Sequence, residues 1–100
     1  MKAIDHFVSG LTWAGTSTRI SDVYNPATGM VTAKVKLANA VDVNYVIEEA
    51  RKSQQAWGAT PPAKRAAVMF SFRDLLNLHI GELAELLSAE HGKTISDAKG

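Results

Sequence analysis

Residues 60–93, TPPAKRAAVMFSFRDLLNLHIGELAELLSAEHGK, form the longest stretch of the chain with helical periodicity. Apolar residues recur three and four positions apart along it, which is the spacing of the buried side of an amphipathic helix. The predicted buried stripes are Val68, Met69, Phe72, Leu75 and Leu76, then Ile80, Leu83, Leu86 and Leu87. The stretch therefore predicts two consecutive amphipathic helices, each with one apolar side that is buried against another part of the protein.

Local signals set the expected ends of these helices. Thr60 is a suitable N-cap, and Pro61 at the first helical position loses no hydrogen bond. A break is expected around His79 to Gly81, because glycine costs about 1 kcal/mol in a helix interior. Gly92 is expected to end the second helix in a left-handed conformation. Thr94 and Asp97 have the spacing of a capping box and predict a further helix. That helix has barely begun at Gly100, so we expect the chain to be a piece of a longer protein.

A third helix is predicted upstream, over residues 40–57. Asn39 is a suitable N-cap, with Asp42 as an acidic variant of the capping box. Glu48 and Lys52 are spaced for an ion pair one turn apart. Gly58 is expected to end the helix. Its predicted buried side carries Val43, Val46, Ile47, Ala50 and Trp57.

The first 38 residues favour strands. Two short β-prone runs, 6–8 and 11–13, flank Ser9-Gly10 and predict a tight hairpin in which Gly10 has a positive φ. A strand over residues 19–24 is followed by the turn Asn25-Pro26-Ala27-Thr28-Gly29, with Asn25 forming an Asx-turn. Residues 30–37 alternate apolar side chains with Thr32, Lys34 and Lys36, which indicates a half-buried strand whose lysines suit a sheet edge.

Together these elements predict an α+β fold class, with a β-hairpin and strand segment at 1–38 and a helical segment at 39–100 that together form one incomplete N-terminal part of a larger protein. The net charge of +1 argues against nucleic acid as a partner, and the absence of cysteine excludes a thiol nucleophile, a disulfide and a cysteine-ligated metal. No run of about 20 apolar residues or signal peptide is present, so we expect no membrane partner and a cytoplasmic location.

No residue pattern in the chain indicates catalysis. The three histidines, His6, His79 and His91, have no metal-ligand spacing. The other sets weighed are Glu82, Glu85 and Glu90 as paired carboxylates, Lys64, Arg65 and Arg73 as a basic patch, and Thr94 as a phosphate site at a helix N-terminus. Solvated helix surfaces and helix caps are the simpler interpretation for each, and Trp13, Trp57, Phe70 and Phe72 are interpreted as core or interface aromatics. We therefore expect no catalytic, cofactor-binding or metal-binding residue here.

The order of these motifs resembles the N-terminus of the aldehyde dehydrogenase superfamily. The resemblance covers the chain after about residue 5. It rests on Asn25-Pro26-Ala27-Thr28-Gly29 before a strand, a helix ending near Trp57, and the segment Glu90-His91-Gly92-Lys93. The sequences at 60–66, at 70–73 and at Asp97-Ala98-Lys99-Gly100 are similar to those of the CoA-acylating methylmalonate-semialdehyde dehydrogenase branch. This resemblance implies an α/β aldehyde dehydrogenase fold for the parent enzyme.

The resemblance also implies a function for that parent. Members use a cysteine nucleophile and NAD, and this branch converts its semialdehyde to propionyl-CoA or acetyl-CoA with CoA as acceptor, as in valine catabolism. NAD and CoA are therefore expected in the parent and neither on these residues, which are expected to be inactive scaffold. The implied partners are the rest of the parent and its subunits in a homo-oligomer, with the hairpin at subunit contacts. Two alternatives stay open: a self-associating helical interaction module, and the N-terminus of a water-using aldehyde dehydrogenase.

Overall fold

A computed structural model describes all 100 residues, Met1–Gly100. Five strands precede four helices, in agreement with the predicted α+β class. The strands are β1 Lys2–Ile4, β2 His6–Val8, β3 Leu11–Trp13, β4 Ile20–Tyr24 and β5 Val31–Lys36. The helices are α1 Ala40–Ala59, α2 Pro62–Leu78, α3 Ile80–His91 and α4 Ile95–Lys99.

The strands form two separate sheets. One has the order β1-β5-β4, with β1 parallel and β4 antiparallel to β5. Strand β5 is thus central, and the prediction that its lysines mark a sheet edge is wrong. Lys34 instead pairs with Asp22 of the neighbouring strand. Strand β1 was not predicted, because its partner lies some 30 residues away and no local turn signal announces a parallel pairing.

The second sheet is the β2–β3 hairpin, in which His6 lies opposite Trp13 and Val8 opposite Leu11. Its two turn residues both have positive φ, 52° at Ser9 and 78° at Gly10. This is the requirement of a type I′ turn, whose twist matches that of the strands. The predicted tight hairpin is confirmed, and Ser9 accepts the left-handed conformation as well as Gly10.

The loop between β4 and β5 is closed by hydrogen bonds from Asn25. Its Oδ1 accepts from the backbone N of Ala27 at 2.8 Å, which confirms the Asx-turn, and its carbonyl accepts from the N of Gly29 at 2.8 Å. Gly29 has the expected left-handed φ of 72°. Gly92, also left-handed at 88°, ends α3, and a Cβ there would lie 3.2 Å from Cγ of Pro26. The loop therefore packs against the end of α3.

Helix α1 begins as predicted but ends later. Asn39 Oδ1 accepts from the N of Asp42 at 2.8 Å, and the N of Asn39 donates to Asp42 Oδ2 at 3.2 Å, so the reciprocal cap is formed. The helix continues through Gly58 to Ala59, and Gly58 is not left-handed. The expectation that Gly58 ends the helix is wrong, since the proline pair at 61–62 provides the stop.

The remaining helices follow their predicted order with small shifts. Pro61 is the N-cap of α2 and Pro62 its first residue, one position later than expected. The break between α2 and α3 falls at His79, whereas Gly81 lies inside α3. Thr94 Oγ1 accepts from the N of Asp97 at 3.3 Å, which confirms the cap of α4.

The chain divides into two compact units. The first comprises Met1–Tyr24 and Val31–Ala59, and the second Asn25–Met30 and Thr60–Gly100. Few side chains are buried in either. Ala33 on β5 and Asp42 on α1 are buried in the first unit, and Ala84 on α3 in the second.

The predicted buried stripes are largely exposed. No residue of α2 is buried, and Phe72 and Leu75 are 52% and 55% exposed. On α1, Val46 and Trp57 are 39% and 41% exposed. The positions of the apolar residues were predicted correctly, but their burial was not, because these residues contain no partner surface that covers them.

Candidate functional site

Asp42 is the one fully buried side chain with a charge, at 1% exposure. It lies in the first turn of α1, and its carboxylate accepts hydrogen bonds from the loop that follows the β2–β3 hairpin. Oδ1 accepts from both the N and the Oγ1 of Thr16, each at 2.8 Å. Oδ2 accepts from the N of Ser17 at 3.3 Å and from the N of Asn39 at 3.2 Å. We call this arrangement the Asp42 clamp.

The clamp is internally complete. Asn39 Nδ2 donates to Thr16 Oγ1 at 3.1 Å, which ties the helix cap to the same loop. Gly15 passes so close that a Cβ there would lie 3.1 Å from Asp42 Oδ2 and 3.2 Å from His6 Cδ2. Because every carboxylate oxygen already has protein donors, the site has no free acceptor for a ligand, and its role is to hold the loop.

The environment keeps Asp42 ionised. Burial by itself raises the pKa of the carboxyl group, but the hydrogen bonds from Thr16, Asn39 and Ser17 outweigh it and hold the pKa below its ordinary value of 3.8. Donors that point at a carboxylate favour its charged form. The clamp is therefore assembled around a negative charge.

Two further α1 residues on the same side of the helix contact the hairpin. Tyr45 and Glu49 follow Asp42 at i+3 and i+7, which places the three on one helix face. The ring of Tyr45 lies 4.6 Å from that of Trp13, centroid to centroid, and Glu49 Oε2 accepts from Ser9 Oγ at 3.1 Å. Polar and aromatic side chains of α1 thus hold the hairpin, beside Val46 and Ala50 of the apolar stripe.

Glu49 is held by charge on its other oxygen. Lys52 Nζ donates to Glu49 Oε1 at 3.0 Å, while Glu48 pairs with Arg51 at 3.3 Å. The predicted Glu48–Lys52 pair is therefore wrong, and both pairs have three-residue spacing. The hydrogen bonds from Lys52 and Ser9 lower the pKa of Glu49, and Glu49 in turn raises that of Lys52.

A shallow groove of about 180 Å³ lies between the hairpin and α1. Its lining is Phe7, Val8, Ser9, Val46, Glu49, Ala50 and Ser53. The volume is below the roughly 300–1,000 Å³ of typical small-molecule sites. Its walls are mainly apolar, and the Glu49 carboxylate already has two partners, so the groove has the character of a packing surface.

The structure does not bring the sequence candidates together. His6 lies on β2 beside Trp13, with ring centroids 5.7 Å apart, whereas His79 joins α2 to α3 and His91 ends α3. No group of three His, Asp or Glu side chains is arranged to hold a metal ion. The sequence identifies Asp42 only as part of a helix cap, because no local spacing reveals its hydrogen bonds to Thr16, which is 26 residues away.

Most charged candidates on the helices have local partners or face solvent, whereas Arg65 is half-buried and its Nε is buried without a hydrogen-bond partner. Glu82, Glu85 and Glu90 are exposed, as predicted, and Glu82 lies 3.3 Å from His79 Nδ1. Arg73 lies over the Phe70 ring at 5.5 Å, a cation–π contact within the helix. The Thr94 hydroxyl caps α4, a helix of five residues. None of the four helices is both long and apolar enough to cross a membrane.

Comparison with known proteins identifies the family to which this chain belongs. Residues 13–100 match the model of the aldehyde dehydrogenase family. The chain belongs to the aldehyde dehydrogenase family. The predicted resemblance is thereby confirmed, and its motifs lie at the Asn25 loop and the α3–α4 junction that pack together in the second unit.

Individual relatives of this aldehyde dehydrogenase chain are closely similar. A Sinorhizobium meliloti protein, described as a methylmalonate-semialdehyde dehydrogenase complexed with NAD, is 50% identical with a TM-score of 0.96, over all of this chain and 20% of that one. The Oceanimonas doudoroffii methylmalonate-semialdehyde dehydrogenase is 40% identical with a TM-score of 0.95 over the same shares. A malonate-semialdehyde dehydrogenase of Pseudomonas aeruginosa is 41% identical over 100% of this chain and 20% of its own length.

The chain spans about one fifth of the length of these relatives. The groove beside α1 is too small for a dinucleotide, and no glycine-rich strand-to-helix turn is present. We therefore derive no catalytic step through NAD on this part of the aldehyde dehydrogenase.

Proposed function

We propose that this chain is the N-terminal structural segment of an NAD-dependent, CoA-acylating (methyl)malonate-semialdehyde dehydrogenase, and that it is inactive alone. The support is the likeness to proteins of that name across the whole chain. Within the parent, NAD would take up the hydride from the aldehyde, the substrate carboxylate would leave as CO2, and CoA, not water, would receive the remaining acyl group as propionyl-CoA or acetyl-CoA. The nucleophile belongs to the other four-fifths of the parent, since these residues include no cysteine.

The uncovered surface supports the structural part of the proposal, that the rest of a larger protein covers these residues. The chain exposes 7668 Å², whereas a compact folded monomer of this mass exposes about 5,500 Å², so the excess is about 2,100 Å². Standard protein interfaces bury about 800 Å² per partner, and interfaces above about 1,000 Å² per partner include obligate ones and many signal-transduction assemblies. The excess on this chain is in that larger range.

Much of that surface is on helices that are apolar on more than one side. The stripe of Val68, Met69, Phe72, Leu75 and Leu76 covers one side of α2, and Phe70, 59% exposed, projects from another. Helices of this kind are found inside large proteins. The proposed cover is the rest of the parent, with the hairpin available for contacts between subunits of a homo-oligomer in the cytoplasm.

Complementation tests this proposal. The chain is mixed with the Pseudomonas aeruginosa relative lacking the matching 100 residues, together with malonate semialdehyde, NAD and CoA. We expect no NADH from either piece alone and NADH with acyl-CoA from the mixture. Turnover by the 100 residues alone, or no gain on mixing, contradicts the proposal.

Two controls separate the alternatives. Formation of free acid instead of acyl-CoA by a native full-length parent favours the water-using enzyme. The exposed faces also favour a second hypothesis, a self-associating interaction module. A chain that forms a defined oligomer with a cooperative thermal transition, and that ignores the Pseudomonas piece, supports that hypothesis.

A further inference from the structure

We propose that the β2–β3 hairpin is an acid-released strap, held on α1 by the ionised carboxylates of Asp42 and Glu49 and freed as a unit while α1 stays helical. This conformational device goes beyond the proposed function and does not depend on which dehydrogenase the parent is. It follows from three contacts in the first unit: Asp42 with the loop at 16–17, Tyr45 with Trp13, and Glu49 with Ser9.

The contacts that join hairpin to helix are mostly polar. Four hydrogen bonds, from Thr16, Ser17 and Ser9, end on the two carboxylates. The outward hairpin residue Phe7 is 74% exposed, and no hairpin side chain is fully buried, since Val8 and Trp13 are only half-buried. Hydrogen bonds to charged acceptors are roughly twice as strong as those to neutral ones. The hairpin's position therefore depends on the charge.

Protonation of Asp42 removes acceptors that have no substitute. A proton on Oδ2 points a donor at the N–H groups of Ser17 and Asn39, which then lose their partner in a buried site. Protonation of Glu49 likewise weakens its bonds to Ser9 and Lys52. Both losses free the same hairpin: protonation of Asp42 frees the loop that follows it, and protonation of Glu49 frees its turn.

Helix α1 keeps its own cap through this change. The bond from the N of Asp42 to Asn39 Oδ1, at 2.8 Å, uses the Asn39 side chain and the Asp42 backbone, so it survives protonation of the carboxylate. The helix therefore retains its N-cap when the hairpin leaves. This separates hairpin release from general acid unfolding.

The pH range follows from the direction of the shifts. The hydrogen bonds lower the pKa of both carboxyl groups in the folded chain. A group whose pKa is lowered by folding contributes stability above its unfolded pKa, and that contribution is lost as pH falls through the folded pKa. The carboxylate contacts are thus fully present above pH 4.5, the ordinary value for Glu, and are lost as pH falls through the folded pKa values, which lie below 4.5 for Glu49 and below 3.8 for Asp42.

Other titratable groups near the two carboxylates are few. His6 of β2 approaches the clamp beside Gly15, and the Nε2 of His6 is buried without a hydrogen-bond partner. Around Glu49 the charged neighbour is Lys52, which is itself near Glu48 and Tyr45. Replacing His6 by Gln in a parallel sample removes the imidazole from the titration.

The test is an NMR titration of the whole 100-residue chain from about pH 7 to about pH 2, which spans carboxylate titration. We expect the amide signals of Thr16 and Ser17 and the Trp13–Tyr45 ring NOE to be lost together below pH 3.8. The helical shifts of α1 should persist through that transition. Loss of α1 at the same midpoint, or an NOE that persists at the acid end, overturns the proposal.

A substitution gives the second readout. Asp42→Asn keeps the shape but puts an amide donor among the donors of the clamp, so it should lose the Trp13–Tyr45 NOE already at neutral pH. The matched control Asp74→Asn neutralises an exposed carboxylate on α2 and should leave the NOE unchanged. An Asp42→Asn chain with the wild-type NOE at neutral pH overturns the proposal.

Discussion

Helices α1 and α2 have similar length and the same amphipathic design, yet their surroundings differ. Each carries an apolar stripe that the chain leaves mostly exposed. Helix α1 in addition carries Asp42, Tyr45 and Glu49, which contact the hairpin through hydrogen bonds and a ring contact. Helix α2 has no buried residue, and its polar contacts are local, such as Arg73 with Phe70.

The difference separates two roles of side chains. Directional contacts to a charged group define where the hairpin sits, even with little apolar burial. The hydrophobic effect is non-directional, so an apolar stripe indicates that a covering surface is required but does not specify which one. The directional contacts are all formed within the first compact unit. The apolar stripes, by contrast, are not covered by any surface of this chain.

The largest effect is expected on α2. Because its stripe is uncovered, the chain alone should self-associate, and Phe72→Glu with Leu75→Glu should weaken that association about a hundredfold or more, since burying each side chain is worth about 1.5–3 kcal/mol. Sedimentation velocity measures the change. The control pair Ser71→Glu and Asn77→Glu adds the same charge off the stripe, with Asn77 on the side of Phe70, and should weaken association less than the stripe pair. Equal loss in both pairs would show that charge, and not the stripe, controls association.

Gly15 tests the clamp on the α1 side. Its φ is +73°, and an added Cβ would meet Asp42 Oδ2 at 3.1 Å. Gly15→Ala should destabilise the hairpin by more than the about 1–2 kcal/mol cost of a left-handed alanine. Gly10→Ala, at φ +78° with no atom within 4 Å, should show only that cost. Hydrogen exchange of hairpin amides measures both, and equal effects would contradict a packed clamp.

Asn39 links the helix cap to the clamp. Asn39→Ala removes the acceptor for the N of Asp42 and the donor to Thr16 Oγ1. We expect a loss of about 1 kcal/mol, as for other N-caps. Hydrogen exchange in the first turn of α1 measures it. Asn44→Ala, an exposed position of the same helix, should change little, and a matching loss there would argue for a general helix effect.

The smallest expected change is a stabilisation in the second unit. Gly81 lies inside α3 with no atom within 4 Å of an added Cβ and no positive φ. Gly81→Ala should stabilise α3 by about 0.5–1 kcal/mol. Gly92→Ala should have the opposite sign, because its φ is +88° and Pro26 Cγ lies 3.2 Å from the added atom. Thermal unfolding followed by circular dichroism at 222 nm compares the two, and a destabilising Gly81→Ala would contradict the prediction.

Local signals in the sequence predicted most elements. The Ser9-Gly10 turn, the Asx-turn at Asn25 and the caps at Asn39 and Thr94 lie where expected, because each depends on residues within four positions. A predicted helix end was wrong where a stronger stop signal lies a few residues further along the chain. Gly58 stays helical because prolines 61–62 provide the stop three residues later.

Contacts between residues far apart in the chain could not be predicted from the sequence. No local pattern near Lys2 indicates its parallel pairing with Ala33, and none near Asp42 indicates its hydrogen bond from Thr16. The same periodicity that places apolar residues on one side of a helix does not say which surface covers them. Burial was therefore predicted for stripes that remain exposed.

The sequence by itself determined the order of elements, the turns, the caps and membership of the aldehyde dehydrogenase family, because these depend on short-range geometry and on motif order. Only the tertiary structure decided that β5 is central, that Asp42, Tyr45 and Glu49 of α1 hold the hairpin, and that Asp42 is a buried charge among converging donors. The physical reason is distance along the chain. Contacts between residues 25 or more positions apart depend on the whole fold, and no local pattern encodes them.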